Sequence, residues 1–400
     1  MQLPTSIAVP EEVLEIARNL EEAGHQAWCV GGALRDALLG IPQSDFDLAT
    51  SATPEEVQTL FRRTVPVGVR FGTVGVLDSR RRLHEVTTFR RDVTTDGRRA
   101  VVAYGASLEE DLARRDFTIN AIAYHPIRHE WKDPHGGAID IARRRIRAVG
   151  APAERFREDY LRILRCARFA ARLKFTVVQD TWQAAVAAAP GLTNLSAERV
   201  RDEWYKSLDT SESLERLAGL WQKIGAAAVW IPELRSPDER GAIDILQAAR
   251  DREIPRDPVL LTALLCHQPA AVLTRLKASR AEINRAQSLQ DAPVEPEGDD
   301  AVHVRRWLSK VDEISSDLME LWRLRHGEWP SWRSVVETIR SRGDAIRVKD
   351  LAISGEDLIT LGVQPGPRLG EMLNGLLYQA IADPSLNNRE TLLVLARELS

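Results

Sequence analysis

Two aspartates one residue apart, Asp45 and Asp47, end a segment that also holds a Gly-Gly pair and an Arg-Asp pair: WCVGGALRDALLGIPQSDFDLAT, residues 28–50. Side chains at positions i and i+2 of a strand share a face, so a strand here predicts neighbouring carboxylates. Two close carboxylates raise each other's pKa unless a cation lies between them. Hard oxygen ligands favour Mg²⁺, so the pair predicts a magnesium site. A solvated Asp-x-Asp on the surface is the structural alternative.

The two glycines before this pair predict a phosphate site. Gly31 and Gly32 allow the backbone to approach a ligand closely, and they open a short helix whose free N–H groups attract phosphate. Arg35 lies one turn into that helix, where a guanidinium can fork onto phosphate oxygens. The segment therefore predicts a site for a nucleoside triphosphate with magnesium. A dinucleotide-binding oxidoreductase is disfavoured, because no G-x-G-x-x-G follows the strand.

A run of arginines dominates the segment ERFREDYLRILRCARFAARLKF, residues 154–175. The arginines that recur at helical spacing, and so share one helix face, are Arg162, Arg165, Arg168 and Arg172. Residues 143–174 hold eleven basic and three acidic side chains, a local net charge of +8 in a chain of formal net charge −4. This concentration predicts a polyanion site. A solvated basic helix face is the alternative, but a register of arginines with no lysine before Lys174 favours forked recognition.

Asp159 and Arg162 form a pair that could select a base. If one helix carries both, they are neighbours at i and i+3. Cytosine and adenine each present an amine beside a ring-nitrogen acceptor, which a carboxylate and a guanidinium can bind. Uracil and guanine present a carbonyl beside an N–H and oppose both partners. The pair therefore predicts acceptance of C and A without a nucleic-acid template, with Arg165 and Arg168 facing the triphosphate or holding Asp159.

These motifs together resemble the class II branch of the nucleotidyltransferase superfamily, which holds bacterial CCA-adding enzymes and poly(A) polymerases. The matching strings are G-G-x-x-R-D…D-x-D, RRDFTINAIAY (residues 114–124) and E-D-x-x-R (residues 158–162). The resemblance implies that Asp45 and Asp47 bind the catalytic metals in two-metal phosphoryl transfer. A third carboxylate often assists in this family. Glu85, in the predicted strand HEVTTF, is the candidate, with an edge-strand surface glutamate as the alternative.

The second motif, RRDFTINAIAY, would contact the sugar and phosphate of the incoming nucleotide. The resemblance implies that Arg115 binds phosphate or ribose, and that Asp116 and Asn120 test the ribose hydroxyls. A 2′-OH both donates and accepts hydrogen bonds, so an acceptor and an amide suit that task. A basic turn that leads into a core helix is the structural alternative.

The predicted fold class is α+β: a nucleotidyltransferase-type head with a small mixed sheet and helices, then an elongated all-α neck, body and tail. After Gly150 the periodicity is helical with no convincing strand, helices are expected near 156–174 and 238–250, and the Pro-rich acidic stretch 287–300 is expected to be a loop. The predicted divisions are a catalytic head at 1–145, a base-recognising neck at 146–210, a body at 211–280 and a tRNA-anchoring tail at 281–400.

The predicted function is addition of C, C and A to the 3′ end of tRNA from CTP and ATP, with Mg²⁺ and release of pyrophosphate. The segment 90–107, where the family carries a flexible loop, is slightly short, so CC-only or A-only addition stays open. A poly(A) polymerase is a further alternative, although such relatives tend to carry a longer basic tail than RETLLVLARELS. An inactive RNA-binding relative is disfavoured, since the motifs are intact.

The remaining composition points to a cytoplasmic protein. Cys29, Cys166 and Cys266 are too few and too scattered for a disulfide framework or a zinc pattern, which favours a reducing compartment. The N-terminal segment has neither the basic nor the apolar region of a signal peptide, and no apolar run is long enough to span a membrane. No obligatory protein partner is implied.

Overall fold

The computed structural model describes residues 3–41, 45–68, 72–95, 100–235 and 254–398. The chain divides into two compact units, Met1–Pro232 and Glu233–Ser400. The first unit begins with a mixed α/β region and continues in helices, and the described part of the second unit is helical. This confirms the predicted α+β class with a mixed-sheet head followed by helices. The finer division at residues 145, 210 and 280 stays a prediction.

A seven-stranded mixed sheet forms the centre of the head, in the order β3-β4-β5-β2-β1-β8-β9. Its strands are β1 Ala27–Val30, β2 Asp47–Thr50, β3 Thr64–Gly68, β4 Thr73–Leu77, β5 Leu83–Thr88, β8 Ala123–His125 and β9 Glu130–Lys132. Strands β2 and β5 are parallel, and the other neighbours are antiparallel. Strands β4 and β5 form an antiparallel hairpin, and β5 contains the predicted strand HEVTTF except for its last residue.

Strands β1 and β2 bring the two halves of the first motif together. Strand β1 is buried at all four positions, as expected of a central strand. Its last residue, Val30, pairs with Asp47, the first residue of β2. Leu34 of the following helix and Leu48 of β2 lie in one apolar core. The pairing therefore places Gly31, which follows β1 directly, beside the aspartate motif.

Two smaller pairs of strands complete the described β structure. Strands β6 (Arg90–Thr95) and β7 (Ala100–Tyr104) form an antiparallel pair in the segment where the family carries its flexible loop. Strands β10 (Arg145–Ile146) and β11 (Thr176–Val177) form a parallel pair of two residues each. The expectation of no strand after Gly150 is therefore wrong at one short site. Because β11 has only two residues, it offers no alternating pattern for sequence reasoning to detect.

The first helices of the first unit alternate with the strands of the head, and the later ones form its helical part. They are α1 Glu11–Glu22, α2 Gly32–Leu38, α3 Pro54–Leu60, α4 Leu108–Ala113, α5 Gly137–Ala142, α6 Pro152–Glu158, α7 Leu161–Leu173, α8 Gln179–Ala188, α9 Ala197–Thr210, α10 Leu214–Ile224 and α11 Ala226–Trp230. The predicted single helix at 156–174 is wrong, because the chain leaves the helix at Asp159, whose φ and ψ are −153° and 105°. The Asp159 carboxylate accepts a hydrogen bond from Leu161 N, a local bond that competes with helix continuation.

The described helices of the second unit are α12 Pro258–Leu265, α13 Pro269–Arg275, α14 Arg280–Asp291, α15 Ala301–Val311, α16 Ser315–His326, α17 Arg333–Arg342, α18 Gly355–Thr360, α19 Pro367–Ala382 and α20 Arg389–Glu398. The stretch 287–300 is not entirely a loop, since α14 extends to Asp291 after a capping box at Ser279. The helix predicted at 238–250 lies outside the described residues. No described helix has both the length and the apolar character needed to cross a membrane. All three cysteines are free and buried.

Candidate active site

One cavity of about 790 Å³ in the first unit gathers the predicted site residues. It is lined by all thirteen of them: Gly31, Gly32, Arg35, Asp45, Asp47, Glu85, Arg115, Asp116, Asn120, Asp159, Arg162, Arg165 and Arg168. They come from β2, β5, α2, the segment around residues 115–120, and the α6–α7 region. Residues more than 120 positions apart in the sequence thus share one cavity, with carboxylates and guanidinium groups on its walls.

The acidic part of the cavity is formed by Asp45, Asp47 and Glu85. The expectation that one strand carries both aspartates is wrong, because β2 begins at Asp47 and Asp45 precedes it. Glu85 is an exposed residue of β5, the parallel neighbour of β2. Burial, followed by the charges of Glu85 and Asp45, raises the pKa of Asp47 to about 6. A buried carboxylate whose ionisation is opposed by two neighbouring carboxylates is a chemical setting in which a divalent cation fits.

The donor set is open rather than a complete protein cage. Among the described residues, no three His, Cys, Asp or Glu side chains already form a group that could hold a metal.

Gly31 lies between the Asp47 carboxylate and the Arg115 guanidinium. Its φ of +83° favours glycine. A Cβ atom there would lie 3.5 Å from both Asp47 Oδ2 and Arg115 Nη1. Arg115 donates through Nη2 to Asp111 Oδ2 at 3.2 Å and through Nη1 to the Asn120 carbonyl at 3.4 Å. The backbone at Gly31 thus runs along the edge where negative and positive groups meet.

Arg35 of α2 lines the cavity, and its guanidinium binds protein groups there. Its side chain is 1% exposed. Its Nε donates to Asp36 Oδ1 at 2.7 Å and its Nη1 donates to Asn120 Oδ1 at 2.7 Å. Burial lowers the pKa of this guanidinium, an effect that Asp36 opposes. The Arg35 guanidinium therefore already orients the Asn120 amide, and its contact with phosphate stays a prediction.

Asp116 and Asn120 form a closed network. Asn120 Nδ2 donates to Asp116 Oδ1 at 3.0 Å, and Phe117 N donates to the same oxygen at 2.8 Å. Arg165 Nε donates to Asp116 Oδ2 at 2.7 Å. Burial raises the pKa of Asp116, but the charge of Arg165 and these hydrogen bonds outweigh it and leave that pKa at about 2. The carboxylate therefore stays ionised and its orientation is fixed from two sides.

Asp159 and Arg162 both line the cavity, but each is held by another partner. Arg199 Nη2 donates to Asp159 Oδ1 and Oδ2 at 3.0 and 2.8 Å. Arg162 Nη1 donates to Glu158 Oε2 at 2.6 Å, and its Nη2 donates to the Arg114 carbonyl at 2.9 Å. Neither Arg165 nor Arg168 supplies the bond that holds Asp159. The two residues stay close across the break, since Arg162 N donates to the Asp159 carbonyl at 3.1 Å, and both side chains line the cavity.

The other arginines of α7 bind carboxylates from different elements. Arg165 binds Asp116, as described above. Arg168 Nε donates to Glu203 Oε1 of α9 at 2.6 Å. Arg172 Nη2 donates to Asp36 Oδ2 of α2 at 2.8 Å. The arginine face thus joins α7 to its surroundings as well as lining the cavity, and part of the local charge of +8 is neutralised.

Sequence reasoning missed the contribution of α9. Arg199, Lys206 and Thr210 line the cavity, and Glu203 of the same helix binds Arg168. Their spacing of four, three and four residues places them on one face. The segment LSAERVRDEW, residues 195–204, therefore supplies Arg199 to the site. The spacing of charged residues along α9 was the signal that could have shown this.

Comparison with protein families gives three matches along the chain. The family described as "Poly A polymerase head domain" matches residues 27–147. The family described as "Probable RNA and SrmB- binding site of polymerase A" matches residues 174–236. The family described as "tRNA nucleotidyltransferase domain 2 putative" matches residues 259–396. Most of the described cavity lies in or next to the first match.

Individual proteins match over nearly the whole chain. A CCA-adding enzyme of Streptococcus sanguinis is 36% identical over 97% of this chain and 97% of its own length. One of Levilactobacillus brevis is 36% identical over 96% of this chain and 97% of its own. The crystal structure of the Bacillus stearothermophilus CCA-adding enzyme in complex with CTP has a TM-score of 0.76 and 32% identity, over 97% of this chain and 96% of that one. The chain therefore belongs to the family of CCA-adding enzymes, which are tRNA nucleotidyltransferases.

Proposed function

We propose that this protein adds C, C and A to the 3′ end of tRNA from CTP and ATP and releases pyrophosphate. The observation that carries the proposal is that one cavity combines the carboxylate group around Asp47 with the arginine face of α7. The first can hold a divalent cation, and the second can hold a polyanionic nucleotide. The full-length similarity to CCA-adding enzymes supports the same reaction.

The nucleotidyltransferase family implies a divalent metal, and we propose that it is Mg²⁺ held by Asp45 and Asp47. Burial and the charges of Glu85 and Asp45 raise the pKa of Asp47, and a cation among these carboxylates would relieve their repulsion. When bound, the metal would acidify the primer 3′-hydroxyl and neutralise charge on the triphosphate. Glu85 is proposed as the third carboxylate, since it faces the same cavity from β5. Gly31 and Gly32 allow the substrate to approach the Asp47 carboxylate.

The protein groups around the sugar and triphosphate have separate roles. Arg115, partly exposed in the cavity, is proposed to bind phosphate or ribose. Asp116 and Asn120 are proposed to test the ribose hydroxyls, with Arg35 fixing the amide and Arg165 fixing the carboxylate. This arrangement requires both groups to keep one orientation, which their mutual hydrogen bond provides. Arg168 contributes cationic charge to the cavity wall.

Base choice is proposed to depend on Asp159 and Arg162. The carboxylate would accept from the exocyclic amine of C or A, and the guanidinium would donate to the ring nitrogen. Glu158 and the Arg114 carbonyl hold two nitrogens of Arg162, and Arg199 holds Asp159. Both side chains are thus oriented before a base arrives, which reduces the cost of ordering them on binding.

The rest of the chain is proposed to bind tRNA and to act in the cytoplasm. We assign residues 1–145 as the catalytic head, 146–210 as the neck that selects the base, 211–280 as the body and 281–400 as the tail that anchors tRNA. No membrane and no obligatory protein partner is part of the proposal.

The test is a primer-extension assay with the purified protein. It uses tRNAs that end before CCA, after C and after CC, with CTP and ATP supplied singly and together. Complete addition from both nucleotides supports the proposal. Addition of CC alone, of A alone, or of many A residues would instead identify a partial enzyme or a poly(A) polymerase. The double variant Asp45→Ala, Asp47→Ala is the control and should transfer nothing.

A further inference from the structure

The ring of Phe169 lies among three guanidinium groups in the cavity. The Cζ atoms of Arg168, Arg165 and Arg35 lie 4.3, 5.3 and 5.1 Å from the ring centroid. Two of these arginines belong to the same helix as Phe169, whereas Arg35 comes from α2 of the head. The ring is 4% exposed and meets Phe117 edge to face, with centroids 5.8 Å apart and planes at 83°.

The three guanidinium groups share one neutral contact in addition to their carboxylate partners. The arginines bind separate carboxylates: Arg35 binds Asp36, Arg165 binds Asp116 and Arg168 binds Glu203. The phenyl ring is the group that all three share. An aromatic face attracts cations through its quadrupole, and the attraction strengthens when water is excluded. A ring that is almost fully buried satisfies this condition.

Two of these arginines also hold the proposed ribose-testing pair. Arg35 Nη1 donates to Asn120 Oδ1, and Arg165 Nε donates to Asp116 Oδ2. Asn120 Nδ2 donates to Asp116 Oδ1, so hydrogen bonds link Arg35 to Arg165 through these two side chains. The circuit runs from Phe169 through Arg35, Asn120, Asp116 and Arg165 back to the same ring. A change in the attraction of the ring for its guanidiniums must therefore alter how the pair is held.

We propose that Phe169 is a positioning residue for sugar selection: its π face fixes Arg35 and Arg165, and through them the orientation of Asn120 and Asp116. This inference rests on the proposed function, in which that pair reads the 2′-hydroxyl. Phe169 thereby supports discrimination between ribonucleotides and deoxyribonucleotides, and it is not required to touch the substrate. An apolar side chain of similar bulk can fill the same space but cannot supply the quadrupole.

The test replaces Phe169 with phenylalanines that carry one, two and three ring fluorines, which weaken the quadrupole and nearly keep the shape. The preference for CTP over dCTP, measured as a ratio of kcat/KM, should fall stepwise and reach about a tenfold loss with three fluorines. Phe169→Tyr should keep most of the preference, and Phe169→Leu should lose it. A constant preference across the fluorinated series, or a normal preference in Phe169→Leu, would overturn the proposal.

Phe117 provides the matched control. It is fully buried and forms the other half of the same edge-to-face pair, and within the described part of the chain no guanidinium is recorded over its ring. Fluorination of Phe117 should therefore leave the sugar preference unchanged, and an equal fall at both rings would contradict a quadrupole effect specific to Phe169.

Equilibrium binding of CTP and dCTP is measured on the same variants. A wild-type protein that binds CTP in preference to dCTP but extends no tRNA would refute the proposed function, while the fluorination series would still test Phe169.

Discussion

Arg199 of α9 binds the carboxylate of Asp159, with Nη2 at 2.8 Å from Oδ2 and 3.0 Å from Oδ1, across 40 residues of sequence. Asp159 lies where the chain leaves α6 in an extended conformation before α7 begins. A carboxylate at such a junction has more freedom than one inside a helix. The Arg199 guanidinium and the Leu161 backbone N–H together restrict that freedom, so Arg199 helps to determine where the proposed base-reading oxygen points.

Replacing Arg199 by Met should therefore weaken base selection. We expect the ratio of kcat/KM for CTP to that for UTP to fall about tenfold, because Asp159 loses a charge-assisted contact but remains present. The measurement is single-nucleotide incorporation into tRNA that lacks CCA. Arg201→Met is the matched control, since Arg201 belongs to the same helix and binds the exposed neighbour Asp202. Equal losses in both variants would contradict a specific role for Arg199.

Removal of the Asp159 carboxylate or the Arg162 guanidinium should weaken base selection more than replacement of Arg199 does. In Asp159→Ala and Arg162→Ala, we expect discrimination against UTP and GTP to fall about 100-fold. In the wild-type protein a mismatched base leaves one of these two polar groups unpaired, and each variant removes that penalty. Incorporation of CTP and ATP should fall as well. The assay compares all four nucleotides on one tRNA primer. If both variants still reject UTP and GTP as wild type does, base choice does not depend on this pair.

Motif spacing predicted which residues would share the cavity. Within each motif, strand or helix periodicity fixes the local geometry, and the fold then brings the motifs together. Asp47 and Gly31 are adjacent since β2 pairs with β1 in the expected region. The arginines of α7 line the cavity since residues three and four apart share a helix face. These relationships require only strand and helix periodicity, and both can be recognised in the sequence.

Partners from distant segments could not be predicted in the same way. The bond from Arg35 to Asn120 spans 85 residues, and that from Arg199 to Asp159 spans 40. No local pattern distinguishes an arginine that binds a protein amide from one that awaits a phosphate. The break at Asp159 also has no periodic signature, because it depends on a hydrogen bond from Leu161 N to the Asp159 side chain.

The carboxylate at the start of β2 should be indispensable. We expect Asp47→Asn to lower kcat at least about 1,000-fold, because a neutral amide is a poor replacement for a metal-binding carboxylate. Binding of CTP through the arginine face should persist within about tenfold. Glu85→Gln should lower kcat less than Asp47→Asn does, because Glu85 is proposed to assist the two aspartates. Primer extension and equilibrium nucleotide binding measure the two effects, and full activity of Asp47→Asn would refute the proposed metal site.

The ion pair between Asp116 and Arg165 should make stability depend on pH. The pKa of Asp116 is about 2 in the folded protein against an ordinary value of 3.8. A lowered pKa stabilises the folded state above the ordinary value, and this contribution is lost as pH falls from about 4 to about 2. It amounts to about 2 kcal/mol at neutral pH, and about half is lost by pH 3.

Asp116→Asn has no such titration. The difference in unfolding free energy between wild type and Asp116→Asn should therefore narrow between pH 5 and pH 3. Urea unfolding followed by circular dichroism at both pH values measures it. A constant difference would show that folding does not shift the pKa of Asp116, and a widening difference would show that folding raises it.

Gly31 and Gly40 allow backbone strain to be separated from crowding of the site. Both have positive φ, +83° and +74°, so Ala at either position should cost about 1 kcal/mol of stability. A Cβ at Gly40 meets nothing within 4 Å, whereas a Cβ at Gly31 would contact Asp47 and Arg115. Gly40→Ala should therefore be less stable with normal kcat/KM. Gly31→Ala should lose about the same stability and also about tenfold in kcat/KM, since its new methyl group occupies space beside Asp47. Thermal unfolding and primer extension on the two variants make the comparison, and equal activities would mean that close backbone approach at Gly31 is not used in the reaction.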